Sequence, residues 1–318
     1  MQRRTLLAAA AAAAMATPGL ALAQGRAQGR ILVGSAAGGL SDLFARNLAE
    51  GLSRRTGQTY IVDNRTGGGG IIAAQALTAA PADGQTLLLV TLGHVMVPHL
   101  QRKAPYDALA DFAPIAPLAK GASLLVVHQD VPARDLAGFI AYAKANPGKL
   151  TYGSAGIGSP QHLASEHMKA SLGIDLVHVP YRGTAPATLA LRAGEISLQI
   201  LDLTNAEPLL KEGKARAIAQ TGLSAVPGYE RLPRIADIAP GFDVGFWMGV
   251  VAPKGTPDAV LDALNRHIAA IATTDLKERA AAAGLQPLTS SRAEFARFMA
   301  GENAVWSDII NKRGIKQD

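Results

Sequence analysis

Two segments rich in glycine and serine carry the residue types that could bind or attack a small molecule. The first, Gly38-Gly39-Leu40-Ser41-Asp42, follows a β-rich run and opens directly into the amphipathic run 43–52. Backbone N–H groups at such a helix start have no internal partners and lie at the positive end of the helix dipole. The segment can therefore bind an anion, while an ordinary turn capped by Ser41 or Asp42 explains the same residues.

The second segment occupies residues 153–160 and reads Gly-Ser-Ala-Gly-Ile-Gly-Ser-Pro. Ser159 suits the N-cap and Pro160 the first position of a helix predicted over residues 160–172. A second anion-binding helix start, with Ser154 and Ser159 as hydroxyl donors, accounts for these residues with few assumptions.

Ser154 also has an alternative interpretation, as the nucleophile of an exported serine hydrolase. The segment matches the G-x-S-x-G elbow only loosely, because Tyr152 stands where the first glycine belongs. A triad needs a histidine and an acid beside the serine, and the sequence does not place His162, His167 or His178 there. The hydrolase hypothesis stays open beside the binding hypothesis.

No cofactor or metal signature accompanies these segments. Residues 67–70 are all glycine but lack both the dinucleotide spacing and the Gly-Lys-Ser/Thr of a P-loop, so close backbone packing is their default interpretation. The seven histidines include no H-E-x-x-H, and His162 and His167 would point about 140° apart round a helix. The chain has no cysteine, which excludes disulfides and thiolate metal sites.

The N-terminus has the pattern of a secretory signal peptide. Arg3 and Arg4 precede an apolar run over residues 6–16, and Ala-Leu-Ala at 21–23 forms a cleavage site, so we expect a leader of residues 1–23. The paired arginines are also compatible with the twin-arginine route. Without a cysteine to carry a lipid, the mature protein is expected free in the periplasm.

Composition argues against several partners. The 318 residues are 48% apolar and 18% charged, enough for one large or two medium domains. The formal charge falls from +6 to +4 once Arg3 and Arg4 are removed, no basic run reaches five residues, and aromatics make up only 5%. No nucleic-acid surface is expected, and the remaining positive charge mildly favours anionic ligands.

Strands and helices alternate along the chain, which is typical of parallel sheets covered on both faces. We expect two α/β lobes in series, the first over residues 30–122 and 247–318 and the second over 123–246. The division gives two chain crossings, because the last predicted helices bring no new strand and most economically pack back onto the first lobe.

These last helices are defined by their apolar faces and a cap. Ser291 and Glu294 form a capping box for the final one. The expected inward residues are Val260, Leu264, Ile268 and Ile271 on the first helix, and Phe295, Phe298, Glu302, Val305 and Ile309 on the second.

Motifs along nearly the whole mature chain follow one another in a recognisable order. They are Ala37-Gly38-Gly39-x-Ser41-Asp42-x-x-Ala45-Arg46, Val62-Asp63-Asn64-Arg65-Thr66-Gly67-Gly68-Gly69, Pro81-Ala82-Asp83-Gly84, Ala145-Asn146-Pro147-Gly148-Lys149-Leu150-Thr151-Tyr152, His178-Val179-Pro180-Tyr181-Arg182-Gly183 and Trp247-x-Gly249-x-x-Ala252-Pro253-x-Gly255-Thr256-Pro257. In this order they resemble the Bug family, the solute receptors of tripartite tricarboxylate transporters.

The resemblance implies an α/β fold of the type II periplasmic binding-protein class, with two lobes, two chain crossings and a central ligand cleft. It implies binding without catalysis and without a cofactor. The implied partners are a small carboxylate (an aliphatic mono- or diacid, an amino acid or an aromatic acid) and the membrane components of a tripartite transporter. A sensor that passes its closed form to a signalling protein fits the same motifs, and we expect a monomer.

Carried over by position, the resemblance assigns ligand contacts to the strand-to-helix loops of both lobes, through backbone amides, hydroxyls and water. The residues are Ala37, Gly38, Gly39, Asp42, Thr91, Gly93, His94, Ser154, Ala155, Gly156, Ser159, Thr184 and Asp202. Residues 91–94 are expected in a loop after a strand, and Asp202 is a candidate for an amino or hydroxyl group of the ligand. Ser35 and Ala36 replace a proline and an aromatic common in the family, which bears on ligand identity rather than on the fold.

Overall fold

The computed structural model describes residues 28–101 and 105–313, so the expected leader lies outside the described residues. The strands are β1 (Gly29–Val33), β2 (Tyr60–Asn64), β3 (Thr86–Thr91), β4 (Phe112–Ala122), β5 (Leu124–His128), β6 (Thr151–Ser154), β7 (Val177–Pro180), β8 (Leu198–Leu201), β9 (Ala215–Gln220), β10 (Gly245–Pro253) and β11 (Leu285–Pro287). The α-helices are α1 (Leu40–Thr56), α2 (Ile71–Thr78), α3 (Leu92–Leu100), α4 (Leu136–Ala145), α5 (Pro160–Leu172), α6 (Thr184–Ala193), α7 (Leu203–Lys211), α8 (Asp258–Thr273), α9 (Lys277–Ala282) and α10 (Arg292–Arg313). Across these two ranges, none of the helices combines the length and apolarity needed to cross a bilayer.

The strands form a six-stranded sheet in the order β11-β4-β10-β3-β1-β2 and a five-stranded sheet in the order β7-β6-β8-β5-β9. The parallel pairing expected from the alternation holds for β1 with β2 and β3, and for β6 with β7 and β8. Both sheets are nevertheless mixed, because β10 runs antiparallel to β3 and β4, and β5 runs antiparallel to β8 and β9. β5 is the strand by which the chain enters the second sheet, and β10 is the strand by which it returns to the first.

The chain passes between the two sheets twice, and Thr221 ties the two passages together. Only Ser123 separates β4 from β5, and the return runs from Gln220 to Gly245. The buried Thr221 hydroxyl accepts the N–H of Ser123 at 3.1 Å and donates to the carbonyl of Val244 at 2.8 Å. The N–H of Thr221 donates to the Ser123 carbonyl at 2.9 Å, and the N–H of Val244 donates to the Thr221 carbonyl at 2.9 Å. We call this set of bonds the Thr221 junction.

The C-terminal helix α10 packs against both sheets. Phe295 contacts β10 in the first sheet, and the Trp306 ring lies 5.9 Å from the His167 ring of α5, which covers the second. The buried stripe of α10 is Phe295, Met299, Trp306 and Ile310. The expectation that Val305 points inward was wrong, since it is 52% exposed. Phe295 belongs to both the expected and the observed stripe, and the expected Phe298 and Ile309 are partly buried and pack against the same core beside Met299 and Ile310.

Two further predictions for the C-terminal part are confirmed and one was wrong. The capping box is confirmed, because the N–H of Ser291 donates to Glu294 at 2.9 Å and the N–H of Glu294 donates to Ser291 at 3.3 Å. Glu302 faces inward as expected and accepts the indole N–H of Trp247 at 3.1 Å. The expectation of two helices without a new strand was wrong, because α9 and the three-residue β11 lie between α8 and α10.

The packing of α10 on β10 predicts opposite effects for two glycine substitutions. A Cβ at Gly249 would overlap the Phe295 ring, whereas one at Gly301 meets nothing within 4 Å. We expect Gly249→Ala to lower the free energy of unfolding by about 1–3 kcal/mol through overpacking. Gly301→Ala should raise it by about 0.5–1 kcal/mol, because alanine is the better helix former. Urea denaturation of both variants measures this, and equal stabilities would contradict the packing.

Candidate functional site

The carboxyl ends of the parallel strands in the two sheets lie close together. A Cβ on Gly69, after β2, would lie 3.9 Å from the carbonyl oxygen of Gly158, after β6. One on Gly93, at the start of α3, would lie 3.9 Å from Cγ of Pro160. Ligands of open α/β sheets bind outside such strand ends. We name the segment that follows β1 the Gly38 loop (residues 34–39) and the segment that follows β6 the Ser154 loop (residues 154–159).

The Gly38 loop is held in shape by Asp42. This carboxylate is 2% exposed and accepts hydrogen bonds from the N–H of Gly38 at 2.9 Å, Nε of Arg46 at 2.9 Å and Nδ2 of Asn64 at 3.0 Å. Asn64 Nδ2 also donates to the Ser35 carbonyl at 3.1 Å. Burial raises the pKa of Asp42, but these hydrogen bonds outweigh it and leave the pKa below its usual value. Asp42 thus positions the loop from behind, and its carboxylate is already occupied.

Of the predicted residues in this loop, Ala37, Gly38 and Gly39 are exposed. The N–H of Gly38 is committed to Asp42, so it is not a free donor. Gly39 is the N-cap of α1, and no side chain caps that helix. The first-turn N–H groups of α1 therefore remain for a partner from outside the helix.

Helix starts at the facing edges fall into two kinds. The N-cap of α3 is Thr91 and that of α6 is Gly183, and like α1 neither helix has a side-chain cap. In contrast, Ser159 caps α5 by accepting the N–H of His162 at 3.3 Å, and Asp202 caps α7 by accepting the N–H of Asn205 at 3.1 Å. The uncapped starts present backbone donors and positive dipole ends to the gap between the sheets.

The Ser154 loop is fixed by side chains beneath it. The fully buried Ser154 hydroxyl accepts the N–H of Gly156 at 3.1 Å and lies 2.6 Å from Nε2 of His178. The N–H of Gly158 donates to Nδ1 of His162 at 3.2 Å. The predicted ligand residues Ser154 and Gly156 therefore bond to each other. Half-buried Ala155 and Gly156 and exposed Ile157 form the accessible part of the loop.

The contact between Ser154 and His178 is one that the sequence could not establish, and it bears on the hydrolase alternative. The nucleophile would have to be accessible, yet Ser154 is 0% exposed. The carboxylate of Glu166 accepts from the Tyr152 hydroxyl at 2.6 Å and from Lys169 at 2.8 Å. Among the residues that the structure describes, no carboxylate hydrogen-bonds His178, so the geometry lacks the orienting acid of a triad.

The segment from Thr91 to His94 is not a loop, which corrects that expectation. Thr91 is the N-cap of α3, and Gly93 lies in its first turn. The His94 side chain is turned into the core, where Nε2 lies 3.1 Å from the Ala108 carbonyl and the ring stacks on Tyr106. Burial lowers the pKa of His94 to about 4. The structure therefore brings Thr91 and Gly93, but not the His94 ring, to the gap.

The remaining predicted residues lie in the second sheet's loops. Thr184 begins α6, and its hydroxyl accepts Nε2 of Gln161 at 3.2 Å. The Asp202 carboxylate also accepts Nδ2 of Asn205 at 2.7 Å, so it is occupied as a cap. Burial, which outweighs these hydrogen bonds, raises the pKa of Asp202.

The glycine run over residues 67–70 makes the close backbone packing that the sequence interpretation expected, and it also lies at the edge that faces the Ser154 loop, which that interpretation did not predict. All four glycines have φ between 57° and 131°. A Cβ on Gly34 would lie 2.7 Å from Cα of Gly70, so the run packs against the Gly38 loop as well as facing Gly158. Its position after β2, a parallel neighbour of β1, was the signal that could have placed it at this edge.

No group of three or more histidine, aspartate or glutamate side chains within residues 28–101 and 105–313 could hold a metal ion. His162 stacks on His178 and His167 on Phe242, so the two helical histidines point to different surroundings.

Comparison with known proteins gives consistent matches. A family model described as the tripartite tricarboxylate transporter family receptor matches residues 44–315. The chain is similar to R. palustris Rpa4515, solved with adipate, with 34% identity, 91% of this chain and 98% of that chain covered, and a TM-score of 0.84. It is similar to the periplasmic binding protein BugD at 31% identity, with 92% and 99% coverage and a TM-score of 0.82. It is also similar to MatC (Rpa3494) from Rhodopseudomonas palustris with bound malate, at 30% identity, with 89% and 99% coverage and a TM-score of 0.80.

The role of Asp42 predicts a stability loss when it is truncated. Asp42→Ala leaves three donors without their acceptor and should lower the free energy of unfolding at pH 7 by about 1–3 kcal/mol. Because the folded pKa is depressed, the wild-type advantage should be full above the unfolded pKa and disappear as the pH falls through the folded value.

Glu50→Ala on the same helix is the matched control, since Glu50 is 70% exposed and pairs with Arg54. It should change stability by less than about 0.5 kcal/mol. Urea denaturation at pH 7 compares the two, and equal losses would show that Asp42 does not organise the loop.

Proposed function

The chain belongs to the tripartite tricarboxylate transporter receptor family, as its resemblance to the Bug proteins predicted, and from this premise we propose that it binds a small dicarboxylate between the Gly38 loop and the Ser154 loop. The family consists of receptors for carboxylate solutes. The observation that carries the proposal is the set of uncapped helix starts, α1 and α3 at one edge and α6 at the other.

The placement of these donors favours a ligand with a negative group at each end. Backbone N–H groups at helix starts bind carboxylates well. The start of α3 lies beside the other sheet, where a Cβ on Gly93 would come within 3.9 Å of Pro160, and we place the ligand between the donors of the two edges. A diacid can use donors from both edges, whereas a monoacid satisfies only one set. Adipate and malate, found in the structures of two relatives at 34% and 30% identity, are both dicarboxylates.

Closure of two lobes is the proposed signal. The lobes are residues 30–122 with 247–318, and residues 123–246, a division supported by the two sheets and by the Thr221 junction between them. Ligand contacts that span both lobes stabilise the closed population. The closed form is then presented to the membrane components of a tripartite transporter, with the mature chain acting in the periplasm as a monomer after removal of residues 1–23.

Binding is proposed to occur without catalysis. Burial of Ser154 and the occupation of Glu166 by Tyr152 and Lys169 support this assignment. The test is hydrolysis of model esters by the wild type and by Ser154→Ala. Turnover that disappears in the variant would establish the hydrolase instead.

Ligand binding should raise thermal stability in a selective way. We expect adipate, malate or a related diacid to raise Tm, because a ligand that binds only the folded state adds about 2.7 kcal/mol at a concentration one hundred times Kd. Glutamate and benzoate test amino and aromatic acids, and the diamine putrescine is the control of opposite charge. If no acid in the panel changes Tm, the proposal fails.

A bulky residue on the Gly38 loop should block this binding without unfolding the protein. Ala37 is exposed on the loop, so Ala37→Trp can be accommodated while filling the gap. We expect at least about a tenfold loss of affinity, equivalent to about 1.4 kcal/mol. Ala259→Trp, at an exposed position on α8, is the matched control and should bind normally. Calorimetry with the stabilising acid measures both, and normal binding by Ala37→Trp would place the ligand elsewhere.

A further inference from the structure

Two stacked histidines lie directly beneath the Ser154 loop. His162 comes from the first turn of α5 and His178 from β7, and their ring centroids are 4.2 Å apart with planes inclined by 23°. The Tyr152 ring lies nearly parallel to both, 4.8 Å from His178 and 6.4 Å from His162. The three rings form the floor on which the loop rests.

Each imidazole fixes one part of the loop. A backbone N–H can only donate, so Nδ1 of His162 must be unprotonated to accept from Gly158. Nε2 of His178 bonds to the Ser154 hydroxyl, which in turn accepts the N–H of Gly156. The Gly158 carbonyl is the atom that faces Gly69 across the gap, so the pair supports the loop where the two edges meet.

We propose that His162 and His178 are positioning residues for the ligand: while neutral they hold the Ser154 loop in its binding conformation, and protonation of His162 releases the loop and weakens carboxylate binding. The inference rests on the proposed function and deepens it. Protonation would replace the acceptor at Nδ1 with a second donor facing the N–H of Gly158. It would also place a positive charge against the neighbouring ring.

The groups around the two rings keep the protonation of His162 and His178 in the acidic pH range. Glu166 and Lys169 on α5 face the rings, and they are paired with each other, with Tyr152 from β6 as a further donor to Glu166. Burial lowers the pKa of His162 below its ordinary value, more than the attraction of Glu166 raises it. Burial, and then repulsion from His162, lowers the pKa of His178 to about 4. Affinity should be full above about pH 6.5, the ordinary pKa of histidine, and fall as the pH drops through the folded values.

Matched substitutions separate the hydrogen-bond acceptor from the charge. His162→Asn keeps an acceptor near the position of Nδ1 but cannot be protonated, and His178→Gln keeps a polar atom near Nε2. His162→Leu removes the acceptor. His267→Asn, on α8 outside both loops, controls for losing a histidine.

The affinity of each variant is measured by calorimetry at pH 8 and pH 4.5 with adipate, or with whichever diacid stabilises the wild type. Because the variants are compared with the same ligand at the same pH, the ratio of their affinities does not depend on the protonation of the ligand itself. On acidification from pH 8 to pH 4.5, we expect the wild type and His267→Asn to lose about fivefold more affinity than His162→Asn. A factor of about five is what the loss of one ordinary hydrogen bond produces. His162→Leu should bind weakly at both pH values. If His162→Asn binds normally at pH 8 and loses as much affinity as the wild type, the proposal is overturned.

A second measurement uses the ligand-free protein labelled with ¹⁵N-glycine. The amide resonances of Gly156 and Gly158 should shift with a midpoint equal to that of the His162 ring protons, and this shift should be absent in His162→Asn. If the amide resonances of Gly156 and Gly158 do not shift with the protonation of His162, the inference is overturned, even if a diacid binds to the protein. If the amides respond but no acid binds the wild type at pH 8, the proposed function fails while the coupling of histidine to loop stands.

Discussion

The site depends on backbone donors that the chain leaves without side-chain acceptors. A polar group withdrawn from water without a partner costs about 1–3 kcal/mol, so folded proteins usually cap their helices. Here α5 and α7 are capped by Ser159 and Asp202, whereas α1, α3 and α6 are not. In the proposed binding mode, the capped helices fix the geometry of the gap and the uncapped ones supply its donors. An anion can then be bound by the main chain, while a cation such as Arg46 is used to hold the loop through Asp42.

Local signals in the sequence predicted the parts of this arrangement that local physics determines. Ser159 followed by Pro160 marked the start of α5, and the helix runs over the expected residues 160–172. The turn into α1 was likewise predicted from local residues, the glycines and polar side chains of residues 38–42. Asp42, however, accepts a hydrogen bond from the N–H of Gly38 and does not reach the gap. Caps and turns are encoded within a few residues, so a single sequence contains enough information to place them.

Features that depend on tertiary context were beyond the sequence. Pro98 lies inside α3, where its missing N–H leaves the His94 carbonyl free, and the Tyr106 hydroxyl donates to that carbonyl at 3.0 Å. Proline is unfavourable inside a helix, and the Tyr106 hydroxyl replaces the backbone hydrogen bond that Pro98 cannot make. The pairing of Ser154 with His178 likewise follows from the register of β6 with β7, which sets Tyr152 beside His178. Register is decided by the whole sheet and not by the residues that the pairing brings together.

The Thr221 junction determines what kind of motion the molecule can make. With Ser123 as the only residue between β4 and β5, the connection has no slack, and the sheets cannot slide apart along it. The closure proposed above is then expected to be a rotation about an axis close to Thr221, in which a small change in a few backbone torsions is magnified at the loops far from that axis. The connection between β4 and β5 adds no flexible linker that would have to become ordered in the proposed closure, so its share of the conformational entropy lost is expected to be small. We therefore expect the Thr221 junction to be the hinge of the proposed closure.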